Sequence, residues 1–406
     1  MKKALILIIA TIFSANVFPQ ALLVESNNDF AFKLYKAIKP DSSNFIISPF
    51  SLNIALSVVN EGARGSTRQE IDSLLSIREI SKRATEYNKF IHKTTDLYDT
   101  KFKNCIEGDQ GKIRKNEIFL ANSLWINDDV EIDPGFIATI KENYQSDLFT
   151  FNKHNIISSN KKLNNWISEK TNEKIPEIKG LNEDLGISIV NVIYFMGEWN
   201  SPFDVKKTKV KKFYAINREK IVVNYMRDQS HYLYYEDSYI QSINLPYVCH
   251  QFSMIVILPK KRYGILDIEN KLNRAYYHLI DSLSYWHEVI LSFPKFKIES
   301  EILPKSEILE MGYPIMFSDN ADFKGISIND PLKIGEIIHK TFVEIDEKKT
   351  EAAAVTKLDM VIIGYGGGGD PPPPPPPKIF NADHPFIFLI IDNRTKAILF
   401  TGRFVK

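Results

Sequence analysis

The chain of 406 residues is 44% hydrophobic and 25% charged, proportions that are typical of a globular protein and exclude a disordered or collagen-like chain. Its 51 Lys and Arg against 50 Asp and Glu leave a formal net charge of +1, so no overall basic field indicates a nucleic-acid partner. Two cysteines exclude a disulfide-dense small domain and a cysteine-rich zinc scaffold. No spacing typical of metal ligands occurs, and we expect no metal site.

The N-terminus has the layout of an export signal. Two lysines, Lys2 and Lys3, precede a ten-residue apolar stretch that ends at Phe13. That stretch is too short to span a bilayer, which needs about 20 apolar residues, and no later apolar run is long enough. We predict a signal peptide over residues 1–20, cleaved between residues 14 and 21, and a secreted, extracellular protein without a membrane partner. A retained, uncleaved anchor is the alternative.

Apolar periodicity and capping residues predict five helices in the first half of the chain. They are residues 28–39, a helix that follows Ser48-Pro49 and ends before Gly62, one opened by a capping box of Ser66 and Gln69, one that starts at Asp133-Pro134, and residues 163–174.

Strands are predicted mainly later in the chain. Residues 118–126 and 187–195 are dense apolar runs suited to strands buried on both faces. Val289, Leu291 and Phe293 alternate with other residues, which is typical of a half-buried strand. Residues 386–391 and 397–400 form a terminal strand pair around the turn at residues 392–394. Helices followed by strands, without a strict βαβ alternation, favour a large α+β domain.

Residues 350–378 have an unusual composition. Small residues open the segment, four glycines follow at residues 366–369, and seven prolines at residues 371–377 favour a polyproline II rod. A disordered linker to a C-terminal extension is one interpretation. Only about 28 residues remain after it, too few for an independent core, and they are apolar and strand-like, so they must pair with the body of the protein. We therefore predict an exposed loop that is tied at both ends.

The chain resembles the serpin family from about Asn28 to Lys406. The stretches that carry the resemblance, in family order and at near-family spacing, are Asn44-Phe45-Ile46-Ile47-Ser48-Pro49-Phe50-Ser51, Ala121-Asn122-Ser123-Leu124-Trp125, Val190-Asn191-Val192-Ile193-Tyr194-Phe195-Met196-Gly197-Glu198-Trp199, Leu245-Pro246-Tyr247, Ile338-His339-Lys340, Thr350-Glu351-Ala352-Ala353-Ala354, and Phe380-Asn381-Ala382-Asp383-His384-Pro385-Phe386-Ile387-Phe388. The resemblance implies a single serpin domain over residues 21–406, an α+β fold with three β-sheets, eight to nine helices and an exposed reactive-centre loop at about residues 347–379.

The resemblance also implies an activity. In serpins the loop is bait for a serine protease, and the cleaved loop inserts into the main sheet as an extra strand, so the uncleaved fold is metastable. We expect a monomer that forms a covalent one-to-one complex with a serine protease and needs no cofactor. No nucleophile motif surrounds any serine paired with a histidine, so we expect no enzyme activity.

The expected hinge for insertion comes before the bait bond. It comprises Lys349, Thr350, Glu351, Ala352, Ala353, Ala354, Val355 and Thr356. With strand alternation, Thr350, Ala352, Ala354 and Thr356 point inward, and all four are small; an Ala-rich surface helix is the alternative for this stretch. Lys349 stands where inhibitory serpins usually carry Gly, and the loss of backbone freedom there would slow insertion.

The expected bait bond follows from the family's distance between hinge and scissile bond. Thirteen residues after Thr350 comes Ile363, which gives Ile363–Gly364 as the reactive bond, with Ile362–Ile363 and Tyr365–Gly366 as neighbours. An apolar residue before the bond suits elastase-like or chymotrypsin-like pockets. The glycine and proline tracts lengthen the loop beyond the bond and make its register less secure.

The resemblance implies a sheet-opening region in two parts. Ser48, Ser51, Asn191 and His339 match a polar cluster beneath the main sheet, where a hydrogen-bonded network would satisfy Asn191 inside its apolar run. An ordinary core network predicts the same burial. Trp199, Lys295 and Glu347 match the place where insertion begins, and a Lys295–Glu347 ion pair would help to hold the sheet closed.

The remaining features are weaker. The basic residues Lys101, Lys103, Lys112, Arg114 and Lys115 lie near the position of glycosaminoglycan sites in some serpins, although a solvated face is the favoured interpretation, as it is for the lysine-rich residues 205–213. Cys105 and Cys249 are expected to be free thiols. Asn393-Arg394-Thr395 is a glycosylation sequon in a predicted turn.

Two functions remain open. The first is a secreted suicide inhibitor of serine proteases, favoured by the small-residue hinge. The second is a non-inhibitory serpin that acts as a carrier, a storage protein or an interaction module, favoured by Lys349 and by the glycine and proline tracts.

Overall fold

The computed structural model describes residues 19–38, 42–78, 80–96, 116–175, 177–181, 186–347 and 375–406. These residues include nine α-helices. They are α1 Pro19–Ile38, α2 Pro49–Gly62, α3 Gly65–Leu75, α4 Arg83–Thr95, α5 Pro134–Tyr144, α6 Ile156–Lys170, α7 Ile265–Lys271, α8 Arg274–Ser282 and α9 Lys305–Glu310. No helix in these ranges combines the length and the apolar composition that crossing a membrane requires.

Fourteen strands lie in the described part of the chain. They are β1 Phe45–Ile47, β2 Glu117–Asn127, β3 Ser146–Phe151, β4 Ile187–Met196, β5 Lys209–Tyr214, β6 Lys220–Glu236, β7 Ile240–Pro246, β8 Phe252–Pro259, β9 Tyr285–Pro294, β10 Phe296–Ile302, β11 Ile334–Ile345, β12 Lys378–Asn381, β13 Phe386–Asp392 and β14 Ile398–Phe404.

The smaller of the two sheets has five strands in the order β10-β11-β4-β2-β3. Its two inner neighbours β11 and β4 pair in parallel, whereas β10 pairs antiparallel with β11 and β2 antiparallel with β4. β11 is also the last strand before residues 348–374, which are not described. The parallel β4–β11 pair therefore lies inside the sheet, directly before the predicted loop.

The larger sheet has nine strands, with β1-β14-β13-β8-β7-β6-β9-β12 in order and β5 paired to β6 as a branch. β6 is 17 residues long and pairs with β5 through its first residues and with β7 through its last. Because one continuous strand joins both parts, the hydrogen bonds group the described strands into two sheets, where the family resemblance implied three. The α+β class is as expected, and the nine helices of the described residues agree with the expected eight to nine.

Helix α6 and the chain after it cover one face of the five-stranded sheet. Leu163, Trp166 and Ile167 of α6 pack in one apolar cluster with β2, β4 and β11. The larger apolar cluster includes the opposite face of that sheet, α1 to α5 and most of the nine-stranded sheet. Both faces of β4 are consequently buried, as its dense apolar run predicts.

Several sequence predictions are confirmed by their local contacts. Ser48 caps α2 and accepts a hydrogen bond from the Ser51 amide at 3.1 Å, and Asp133 caps α5 by accepting from the Phe136 amide at 2.8 Å. The terminal strands β13 and β14 form the expected antiparallel pair.

Other predictions need correction. The capping box of Ser66 and Gln69 does not form, because Arg64 is the N-cap residue of α3 and makes no side-chain cap. Helix α1 starts at Pro19, before the predicted Asn28, because Leu23 continues its buried stripe. Helix α6 lies earlier than predicted because Asn155 caps its start. It ends at Lys170, where Asn172 and Glu173 adopt positive φ angles. The first residues of β2 are only half-buried.

The expectation of free thiols is wrong for Cys249, which is disulfide-bonded. No free cysteine occurs in the described ranges. The only other cysteine of the chain, Cys105, lies outside them.

Candidate functional site

A polar row crosses the three inner strands of the five-stranded sheet. His339 on β11 is in register with Asn191 on β4, and Asn191 is in register with Asn122 on β2. All three side chains are at most 3% exposed. Residues opposite each other on neighbouring strands share a face, so the row faces the N-terminus of α2, where Ser48 and Ser51 lie.

Hydrogen bonds join this row to α2. The Ser48 amide donates to His339 Nε2 at 2.9 Å, and the Ser48 hydroxyl donates to the Leu399 carbonyl at 2.6 Å. Asn191 Nδ2 contacts Ser51 Oγ and Asn122 Oδ1 and lies 3.2 Å from the Ser51 carbonyl. Its Oδ1 contacts His339 Nδ1. Asn191 thus connects β2, β4, β11 and α2 at one buried point.

Burial determines the protonation of His339. Desolvation lowers the pKa of this imidazole from 6.5 to about 3, so the ring is neutral at physiological pH. Since Nε2 accepts from the Ser48 amide, the single ring proton is on Nδ1, which donates to Asn191. His339 contacts the amide of Ser48 and not its hydroxyl. These two residues therefore form a structural network and not a nucleophile–base pair.

A second polar group lies where β11 ends. Trp199 stacks on Tyr247 with ring centroids 4.5 Å apart and planes 8° apart, and its indole nitrogen donates to the Asp346 carbonyl at 2.8 Å. The indole thereby attaches the chain just after β11 to the segment that follows β4.

Glu347, the next residue, is held from two sides. Its carboxylate forms an ion pair with Lys295, and the Thr208 hydroxyl donates to Oε1 at 2.6 Å. Burial raises the pKa of Glu347, but the hydrogen bonds from Lys295 and Thr208 outweigh it and hold the pKa below its usual value. Glu347 is the last described residue before the predicted loop.

Comparison with known proteins identifies this architecture. The family model described as Serpin (serine protease inhibitor) matches residues 25–406. The chain belongs to the serpin family.

Individual relatives agree with this assignment. A protein of Methanosarcina acetivorans described as an uncharacterized serpin-like protein is 31% identical over 394 residues, which cover 94% of this chain and 85% of that relative. A Xenopus laevis protein named leukocyte elastase inhibitor is 31% identical over 389 residues, covering 92% and 97%. A crystal structure of maspin matches with a TM-score of 0.81 and 26% identity over 96% of this chain and 99% of that one.

The structure of this serpin brings together both groups of residues predicted for sheet opening. Ser48, Ser51, Asn191 and His339 form the buried network, and Trp199, Lys295 and Glu347 meet at the end of β11. The hinge residues and the reactive bond lie outside the described residues: Lys349, Thr350, Glu351, Ala352, Ala353, Ala354, Val355, Thr356, Ile362, Ile363, Gly364 and Tyr365. The basic residues of segment 101–115 lie outside them too.

Asn393 lies in the predicted turn between β13 and β14. Its side-chain nitrogen, the atom that would carry a glycan, donates to the His250 carbonyl at 2.9 Å and to Ser253 Oγ at 2.8 Å. A glycan would leave this nitrogen one hydrogen, so one of the two bonds would have to be lost. Within the described ranges, no group of three or more His, Cys, Asp or Glu side chains is arranged to hold a metal ion.

Sequence reasoning missed two residues of these networks. Asn122 interrupts the apolar run of β2 just as Asn191 interrupts that of β4, so the same argument would have selected it. Thr208 carries no such signal, because it lies in a lysine-rich stretch and its contact with Glu347 joins residues 139 positions apart.

The buried network predicts the effect of Asn191→Ala. The change leaves the His339 Nδ1–H and Asn122 Oδ1 without this partner, so we expect the free energy of unfolding to fall by about 2–4 kcal/mol. Urea unfolding followed by tryptophan fluorescence measures it. The exposed Asn165→Ala on α6 is the control and should change the value by less than about 0.5 kcal/mol; equal effects would contradict the network.

The low pKa of His339 predicts acid sensitivity. In the unfolded chain His339 has a pKa near 6.5 and binds a proton below that pH. In the folded state its imidazole stays neutral down to about pH 3. Stability from this residue is therefore complete above pH 6.5 and is lost as the pH falls, by about 1.4 kcal/mol per pH unit. When urea unfolding is measured between pH 4 and 7, the free energy of unfolding should fall more steeply with decreasing pH for the wild type than for His339→Gln. Identical slopes would refute this assignment.

The group at the end of β11 predicts the effect of Glu347→Gln. The amide still accepts from Thr208 but loses the ion pair with Lys295, so we expect the free energy of unfolding to fall by about 1–2 kcal/mol. Asp319→Asn breaks the solvent-exposed pair with Lys333 and is the matched control, with an expected change much smaller than that of Glu347→Gln. Equal changes in the free energy of unfolding would show that burial does not strengthen the Glu347–Lys295 pair.

Proposed function

We propose that this serpin is a secreted suicide inhibitor of serine proteases, which traps the protease when its reactive-centre loop is cleaved and inserts between β4 and β11. The observation that carries the proposal is the direct parallel pairing of β4 and β11 inside the sheet, from Ile334 to Val343 on β11. The predicted loop follows the end of β11, so a chain that reverses there runs antiparallel to both strands.

Strand energetics support insertion at this seam. Parallel pairing is slightly less stable per residue than antiparallel pairing. An inserted strand would replace one parallel ladder by two antiparallel ladders, and it would bury the inward small side chains of the hinge. The uncleaved state would then be held by the barrier to separating β4 from β11, which includes the contacts of Asn191 and Glu347.

Length also supports insertion. The twelve residues of β11 span roughly 40 Å as a strand. The fourteen residues from Thr350 to Ile363 would span roughly 45 Å in the same conformation. Cleavage at Ile363–Gly364 would therefore free a segment long enough to fill the seam.

We propose an elastase-like or chymotrypsin-like target. Ile363 places an apolar side chain before the bond, which fits the hydrophobic specificity pockets of these proteases. The Xenopus laevis relative carries the name leukocyte elastase inhibitor.

We also propose secretion of a monomer that forms a one-to-one complex with its protease. The export-signal pattern of residues 1–20 supports secretion, and the disulfide-bonded Cys249 is typical of an oxidising compartment.

The second candidate is a non-inhibitory serpin that acts as a carrier, storage protein or interaction module. Lys349 in place of a hinge glycine is the observation that favours it, because slow insertion turns an inhibitor into a substrate. The glycine and proline tracts would in that case form a recognition segment for a partner that binds proline-rich chains.

The test incubates the mature protein with elastase and chymotrypsin and analyses the products by denaturing gel and mass spectrometry. We expect a denaturant-stable complex and a C-terminal peptide that begins at Gly364. Ala352→Arg places a charge at an inward hinge position and should convert the inhibitor into a substrate, because a buried, unpaired charge opposes insertion.

The matched control is Ala353→Arg, at the neighbouring outward position, which should still form the complex. Cleavage of the wild type without a complex and without a gain in thermal stability would contradict the inhibitory proposal and favour the second candidate. Equal behaviour of the two arginine variants would contradict the assigned alternation.

A further inference from the structure

A cluster of cationic side chains lies beside the place where the loop begins. Lys206 and Lys207 belong to a short 3-10 turn before β5, and Lys209 is the first residue of β5. All three are exposed. Between them, Thr208 donates its hydrogen bond to Glu347. The cluster is thus attached directly to the last described residue before the loop.

Two further cations extend this cluster across the sheet. Lys209 is in register with Tyr225 on β6, so Lys211 and Arg227, each two positions further along its strand, share its face. The Lys211 ammonium donates to Ser292 Oγ at 3.3 Å. Ser292 is in register with Asn381 of β12, the strand to which the chain returns after the loop. The cluster therefore lies between the two ends of the loop.

Among the described residues, no ion pair neutralises the positive charge of this cluster. None of the ion pairs between described residues includes Lys206, Lys207, Lys209, Lys211 or Arg227. The pKa of Lys211 is lowered by burial and by the nearby charges of Arg227 and Lys209. Three carboxylates lie near this cluster. Glu347 accepts from Thr208 and pairs with Lys295, Asp204 accepts from the Lys206 amide, and Asp383, whose charge raises the pKa of Lys211, contacts His384.

We propose that Lys206, Lys207, Lys209, Lys211 and Arg227 form a docking surface for an acidic face of the protease that the loop captures. The inference rests on the proposed function and adds a selectivity determinant to it. The bait residue supplies the first contact, and the cationic cluster supplies a second one on the body of the serpin.

The position of the cluster favours a protease over other polyanions. Sixteen positions separate Glu347 from Ile363, so the loop is a long tether and leaves a captured protease many orientations. A protein bound at the bait bond would be tethered to both ends of the loop, and the cations lie between these ends. Opposite charges accelerate association and select orientation. Salt weakens both effects, because at 0.1 M it screens exposed charges that are more than about 10 Å apart.

The experiment compares native chymotrypsin with succinylated chymotrypsin, whose surface lysines have become carboxylates. We expect the wild-type serpin to associate with the succinylated enzyme at least about 10-fold faster at low salt, with the difference lost at about 0.5 M NaCl. The triple variant Lys206→Glu, Lys207→Glu, Lys209→Glu should remove this preference. These side chains are exposed, so the fold should persist.

The matched control is Lys93→Glu, Lys141→Glu, Lys324→Glu, which changes the net charge equally through exposed lysines on α4, on α5 and before β11. It should keep the preference of the wild type. Equal rates for the two triple variants would overturn the proposal, because only the net charge would then matter. Cluster-dependent binding to heparin at 150 mM NaCl, without any change in protease association, would also overturn it and assign the surface to a polysaccharide.

A second measurement separates this proposal from the inhibitory function. Binding of the same serpins to succinylated chymotrypsin blocked at its active-site serine is measured by biolayer interferometry, which needs no cleavage. Cluster-dependent binding of the blocked enzyme, together with no covalent complex from active chymotrypsin, would support the docking surface and contradict suicide inhibition. A covalent complex with the active enzyme that forms equally fast in the wild type and the triple variant would support suicide inhibition and contradict the docking surface.

Discussion

The parallel ladder between β4 and β11 is the constraint on which the rest of the structure depends. The central residues of both strands are buried on both faces, under α6 on one side and under α2 on the other. Burial makes the ladder necessary, because unpaired backbone groups would be costly there. Parallel geometry makes it the weaker kind of pairing. The sheet is thus closed by a ladder that an additional antiparallel strand could replace.

Two polar groups reinforce this ladder at different points. The His339–Asn191–Asn122 row crosses its middle, and Trp199 with Glu347 holds the end at which the loop begins. Each group is costly to disrupt, since most of its members have little access to water that could replace the lost hydrogen bonds. Separating the strands must break both, which gives a physical basis for a high barrier without requiring that the closed sheet be the state of lowest free energy.

The residues around Glu347 take part both in the contacts at the end of β11 and in the proposed docking surface. The carboxylate contacts both Lys295 and Thr208, and Thr208 lies between the lysines of the proposed docking surface. A protein bound to these lysines would therefore lie within one residue of the hydrogen bond between Thr208 and Glu347.

The sequence by itself determined the family, the local caps of α2 and α5, the buried strands, and seven of the residues at the two polar groups, because these depend on motifs and apolar runs of consecutive residues. The three-dimensional structure decided the rest. The apparent capping box of α3 failed because its N-cap is Arg64, while the side chains of Thr67 and Glu70 bind the backbone of residues 315–322. Cys249 proved to be disulfide-bonded. Asn122, Thr208 and the cationic cluster gained their roles only through strand register and contacts between residues far apart in the chain, which no local pattern encodes.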